Sequence, residues 1–195
     1  MTCIVGVLDV ENECVWLGGD ALGSNGYTKN TQSPSKVFRH EFFKNVVMGG
    51  TTTFRHLDLL RYSETLFDKL DFYEKKTIDH KYMVTKFIPK AISLFKDGVP
   101  FRPETDRGGN FIVGAGAHLF EVQEDYSVLE PRSGVCVVGC GETVAMGSLL
   151  TTENMGLSPK ERIELALNAA EKYCCGVQRP FHIINTKDEE VIEIT

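Results

Sequence analysis

No apolar run in this 195-residue chain approaches the ~20 residues that a membrane-spanning helix requires. No secretory leader is expected: the start has no basic stretch, and Asp9 and Glu11 interrupt its apolar run. Positive charge is not in excess. Twenty-one Lys and Arg against 27 Asp and Glu give a net charge of −6 and a pI near 5.4. That balance argues against a general nucleic-acid binder and against attraction to an anionic membrane. Six cysteines (Cys3, Cys14, Cys136, Cys140, Cys174, Cys175) contain no C-x-x-C pair, and neighbours such as Cys174 and Cys175 make poor tetrahedral ligands. No metal or other cofactor is expected. Thiols without a leader point to reduced, mostly packing cysteines and to a cytoplasmic protein. "GAGAHL" lacks the third glycine of a nucleotide loop and continues as a strand, so its glycines read as close-packing positions.

What is present is ordinary in bulk. Hydrophobic residues make up 42% and charged ones 25%, and no linker or repeat divides the chain, so residues 1–195 are expected to form a single domain. "CIVGVLDV" and "CVWLGGD" flank the turn-prone "ENE" and predict a hairpin, and "KVFRH" and "FKNVVMGG" predict a second pair of strands. The period then changes. Leu59, Tyr62, Leu66 and Leu70 recur at helical spacing, and Val84, Ile88, Ile92 and Phe95 define a second helix that Pro89 kinks or starts.

After the loop "GVPFRPETDRGG", strands return in "NFIVGAGAHLFEVQ", "SVLEP" and "GVCVVG". One helix follows in "GETVAMGSLLTTENM". Another starts at "SPKE", with Ser158 as N-cap, Pro159 first in the helix and Glu161 closing a capping box. Ile163, Ala166, Ala170 and Tyr173 give it a buried stripe, and "PFHIIN" and "EVIEIT" close the chain as strands. Strands, two helices, strands, two helices, strands: the order predicts an α+β domain, a four-layer αββα sandwich of two antiparallel sheets between helix pairs.

Chemistry concentrates near the start. A hairpin loop centred on Glu11 sets Thr2 opposite Asp20, and one centred between Glu11 and Asn12 sets Cys3 there instead; the residues leave both registers open. Either way a carboxylate stands beside Thr2. Removal of Met1 would give Thr2 a hydroxyl and a free α-amine whose reference pKa, roughly 7.7–8.0, suits a general base near neutrality. A hydroxyl next to such a base is an activated nucleophile that needs no histidine. Lys36, in "SPSKVFR", is the candidate cation that lowers the hydroxyl's pKa, with Asp20 holding it charged. Taken singly, Thr2 reads as a start residue, Asp20 as a turn former and Lys36 as a solvated charge.

Taken together, "MTCIVGV", "WLGGDALGS", "SPSKVFR", "VVMGGTT" and "VVGCGETVAMGSLL" resemble, in order and near-spacing, the proteasome β-type fold. The resemblance is to N-terminal-nucleophile (Ntn) threonine hydrolases of the HslV branch, and it runs through to "PFHIINTK". It implies Thr2 as nucleophile, Asp20 and Lys36 as the supporting pair, and the amide of Gly49 in an "MGGT" loop as oxyanion donor. It also implies a homo-oligomeric ring that degrades peptides or unfolded protein, with an ATP-dependent unfoldase as a further partner. Two positions depart from the family pattern. Gly139-Cys140-Gly141 replaces Gly-Ser-Gly, and Lys172 and Cys175 stand where the family has an aspartate and a serine in the last long helix. Cys140, Lys172 and Cys175 are thus accessory candidates, with Glu171 as a substitute carboxylate.

Two alternatives follow from the same residues. A proteasome-like subunit without catalysis, structural or regulatory, would retain Met1. A cysteine hydrolase would use Cys140, at a helix N-terminus, with His182 or His56 as base.

Overall fold

A computed structural model describes residues 1–31, 34–51, 53–73, 77–98 and 109–195. Its first hairpin joins β1 (Cys3–Asp9) to β2 (Cys14–Asp20). The turn is made by Asp9, which accepts the Asn12 amide at 3.1 Å and the Asn12 side chain at 2.9 Å, while Glu13 takes a left-handed φ of 47°. This loop pairs Asp9 with Cys14 and Ile4 with Gly19, so the next step sets Cys3, not Thr2, opposite Asp20. Of the two registers the sequence allows, the turn chemistry selects the one centred between Glu11 and Asn12.

Two five-stranded antiparallel sheets form the inner layers. The first has the order β10-β1-β2-β11-β12, with β10 at Val135–Gly139, β11 at Phe181–Asn185 and β12 at Ile192–Ile194. The second runs β5-β6-β7-β8-β9: Val37–Arg39, Val46–Gly50, Phe111–Ala115, His118–Val122 and Val128–Leu129. A small hairpin, β3 (Leu22–Ser24) with β4 (Lys29–Thr31), stands apart from both.

Alternation along β1 sorts the core. Cys3, Val5 and Val7 pack toward helices, while Ile4 joins Val15, Leu17, Val37, Val47 and Ile112 between the sheets. Glycines keep the layers close: a Cβ on Gly18 would lie 2.2 Å from Ile163. The expected sandwich is present.

The helices differ in detail from their sequence expectation. The first long period splits into α1 (Phe54–Tyr62) and α2 (Lys69–Tyr73). Ser63 ends α1 in an extended conformation, and its hydroxyl takes the Thr65 amide at 3.3 Å, a local bond that competes with the helix. Leu60, Leu66 and Phe67 are buried, whereas Tyr62 and Leu70 face solvent.

In the second helix, α3 (His80–Tyr82), a π turn (Met83–Phe87) and α4 (Ile88–Gly98) run on without a break. The wide turn lies just before Pro89, where a regular α-turn would press the proline ring against the preceding carbonyl. It also shifts the buried face: Met83, Phe87, Ile88, Ala91 and Phe95 point inward and Val84 outward. The predicted loop over 98–109 falls largely outside the described residues.

α5 (Glu142–Thr151) and α6 (Pro159–Tyr173) cover the first sheet. The capping box of α6 is formed as expected, and Ile163, Ala166, Leu167 and Ala170 are buried, but Tyr173 is exposed. Among the described residues no helix is long and apolar enough to cross a membrane.

His40 is buried between aromatic rings, and its Nδ1 accepts the amides of Phe42 at 3.2 Å and Phe43 at 3.3 Å. Those two donors hold Nδ1 unprotonated, and burial lowers the imidazole to about 4, with the Ser63 backbone opposing the shift. The unfolded chain takes up a proton near pH 6.5 while the folded chain resists until about 4. This contribution is therefore complete above pH 6.5 and is lost as pH falls through that window. Urea unfolding at pH 7.5 and at pH 5 should show the wild type losing about 2 kcal/mol more than His40→Gln. Equal losses in both proteins would remove His40 as the cause.

Candidate active site

Lys36 precedes β5, at the edge of the second sheet, and reaches the end of β2 in the first. Its Nζ lies 3.1 Å from Asp20 Oδ1 and 3.0 Å from Oδ2, with both side chains almost wholly removed from solvent. Asp20 is in turn fixed by backbone: Oδ1 accepts the Cys3 amide at 2.8 Å and Oδ2 the Leu22 amide at 3.0 Å. Burial lowers the Lys36 ammonium from its ordinary pKa, and Asp20 opposes that shift by charge and hydrogen bond. The Phe54 ring, 5.9 Å away, adds an aromatic face.

Thr2 is fully buried beside this pair. Its hydroxyl donates to the Met1 carbonyl at 2.5 Å, and Lys36 Nζ donates to the same oxygen at 3.4 Å. A hydroxyl and an ammonium thus converge on one acyl oxygen, and the ammonium is oriented by a carboxylate. Thr2, Asp20 and Lys36, picked from three separate stretches of sequence, come together.

Gly49 is placed differently from expectation. Met48-Gly49-Gly50 belongs to β6 rather than to a loop, and the turn begins at Thr51. Gly49 stands opposite Val37 on one side and Ile112 on the other. A Cβ there would lie 2.8 Å from Val37, 2.9 Å from Ile4 and 3.4 Å from the Lys36 carbonyl, so packing around the site already requires glycine.

Cys140 reaches the site from the turn between β10 and α5: its thiol donates to the Thr2 carbonyl at 3.4 Å. Lys172 instead lines an outward groove between α5 and α6 with Val144, Ser148 and Leu165, off the buried stripe of its helix. Cys175 is exposed. Glu171 binds Arg179 through its backbone amide at 2.8 Å and its Nε at 3.0 Å. Neither histidine proposed as a base for Cys140 meets it in the contacts that place each: His182 faces Glu193 at 3.2 Å, and His56 stacks on Phe95.

Three contributors were not singled out from the sequence. Gly139, with φ of 107°, abuts Thr2 so closely that a Cβ would lie 2.2 Å from the Thr2 carbonyl oxygen. The Cys3 amide anchors Asp20, which only the register reveals. Phe54, Leu57, Asp58, Arg61, Thr31 and Pro34 line a cavity of about 310 Å³ with Lys36 on its wall. Among the described residues no group of three or more His, Cys, Asp or Glu is arranged to hold a metal ion.

Known structures share this architecture. Eukaryotic HslV from Trypanosoma brucei superimposes with a TM-score of 0.68 at 18% identity, over 94% of this chain and 98% of that one. BPH, the β-proteasome homologue of Thiobacillus denitrificans, matches with a TM-score of 0.69 at 14% identity, over 94% and 97% of the two chains. Its complex with epoxomicin gives 0.70 at the same identity and coverage. No family model matches the sequence. Over 94% of its length, the chain has the HslV- and proteasome-like fold.

Proposed function

We propose that this chain is a threonine-type endopeptidase subunit whose nucleophile is Thr2, freed by removal of Met1. The observation that carries the reading is the shared acyl oxygen: the Thr2 hydroxyl and the Asp20-held Lys36 ammonium both point at the Met1 carbonyl. Once Met1 is gone, the Thr2 α-amine accepts the hydroxyl proton, and Oγ1 attacks the carbonyl carbon of a bound peptide. Lys36, buried where water cannot screen it, stabilises the deprotonated oxygen. Gly49 is our candidate donor to the oxyanion. Collapse of the tetrahedral intermediate releases the amine product and leaves an ester on Thr2, which water cleaves with the α-amine again as base. The cavity beside Lys36 would take a substrate side chain.

The assembly we infer is a ring of identical copies fed by an ATP-dependent unfoldase. Exposed apolar side chains on the outward side of α5 and α6, Leu150, Leu165 and Tyr173 among them, support contact between copies.

Intact-mass spectrometry before and after exposure to a peptide epoxyketone tests the reading, because that probe needs a hydroxyl and a free α-amine on one residue. Loss of Met1 and a single adduct on Thr2 are expected, with Thr2→Ala lowering peptide hydrolysis on the order of 10³-fold or more. Retained Met1 and no adduct would instead favour the non-catalytic subunit. Cys140→Ser should still hydrolyse peptide; its complete inactivation would revive the cysteine mechanism.

The ion pair gives a separate, stability-based expectation. Asp20→Asn strands a buried ammonium and should cost about 3–5 kcal/mol in chemical denaturation. Asp20→Asn combined with Lys36→Met should recover much of that loss while remaining inactive. Additive losses would mean that the two side chains do not act as a pair.

A further inference from the structure

Around Thr2 the chain gathers sulfur rather than hydroxyl groups. Cys3 follows the nucleophile, Cys140 holds its carbonyl, and Cys174 caps α6 with its Sγ 3.6 Å from the Cys140 carbonyl oxygen. Three elements thus bring three free thiols to one place. They differ in access: Cys3 is buried, Cys174 is partly covered and Cys140 is exposed. Burial pushes the Cys3 thiol up strongly and the Cys174 thiol up as well, with Cys140 adding charge repulsion to both.

The turn that carries Cys140 has no slack. A Cβ on Gly139 would strike the Thr2 carbonyl oxygen, and one on Gly141 would lie 2.8 Å from the Cys3 side chain. A Cβ on Gly176, just past Cys174, would lie 2.5 Å from Cys140 Sγ. Any force that draws the Cys140 sulfur toward Cys174 is therefore passed to the backbone of Thr2 and Cys3.

We propose that Cys140 and Cys174 are a modification site for hydrogen peroxide, closing to a reversible disulfide that disables the Thr2 site. The exposed Cys140 sulfur attacks one peroxide oxygen, giving a sulfenic acid and releasing water. The Cys174 sulfur then displaces the hydroxyl, forming the S–S bond and releasing a second water. Two electrons pass from the sulfur pair to the peroxide, and both thiol protons leave in the waters. The Thr2 carbonyl loses its thiol donor, and the turn shifts against the Cys3 amide that anchors Asp20. The effect on turnover rests on the peptidase reading; the disulfide does not.

The test treats the whole protein with hydrogen peroxide and follows mass, peptide map, peptide hydrolysis and exchange at the Cys3 amide. Expected are loss of two hydrogens, a Cys140–Cys174 cross-link, turnover lowered ~10-fold or more, faster Cys3 exchange, and recovery of each with dithiothreitol. Cys174→Ser should start with normal turnover and form no cross-link. Under excess peroxide its oxidation should run on to sulfinic acid, which dithiothreitol does not reverse.

A different cross-link, or none, overturns the proposal. So does the expected cross-link with unchanged turnover in an active protein. In a protein that hydrolyses nothing even when reduced, the peptidase reading fails on its own. The cross-link together with faster Cys3 exchange then still supports the switch, and the absence of either overturns it.

Discussion

A lysine ammonium almost wholly withdrawn from water is tolerable only against a carboxylate, and the fold is organised around supplying one. Asp20 terminates β2, uses one oxygen for the Cys3 amide and the other for Leu22, and gives both to Lys36. Because Lys36 leads into the second sheet, the same carboxylate that closes the first hairpin also ties one sheet to the other at Thr2. An apolar pair of similar volume would fill this space at least as stably, since desolvating two charges generally offsets their attraction. Retaining the charge therefore makes most sense as a constraint on what happens next to it. The acyl oxygen of Met1, approached by both the ammonium and the Thr2 hydroxyl, is what stands there.

The layers were legible in the sequence because burial obeys simple periods. Alternation in β1 separates Val5 and Val7 from Ile4, and the α6 stripe with its Ser158–Glu161 box is almost wholly local information. Register was not legible, since it turned on whether Asp9 would cap the turn at Asn12. The split after α1 was hidden for a similar reason. Ser63 carries no periodic signal, and Leu66 continues the apolar spacing although the backbone has already left the helix. At α4, Pro89 announced a disturbance, but not that a π turn would absorb it and rotate the buried face.

The site was legible to the extent that it is built from strand ends and short loops. Thr2, Asp20 and Lys36 each sit next to a recognisable strand, so the topology carries them together once the sheets are paired. Lys172 shows the limit. On a helix, one residue of rotation separates an inward from an outward position, and Ala170, not Lys172, faces the core. The lysine that the resemblance aligns with an aspartate therefore brings no opposite charge to Thr2; it lines an outward groove instead.

That leaves the wall around Thr2 made of sulfur. A thiol is a weaker hydrogen-bond donor than a hydroxyl, and the Cys140 contact at 3.4 Å holds the Thr2 carbonyl more loosely than a serine hydroxyl would. The loss is offset by shape. Gly139, Gly141 and Gly176 bring backbone so close to Thr2, Cys3 and Cys140 that packing, rather than a hydrogen-bond network, fixes the turn. Two means of holding Thr2 are thus divided between the two sides of the site. On the Lys36 side, charge and hydrogen bonds set the position. On the Cys140 side, steric fit sets the position and the thiol adds one weak hydrogen bond.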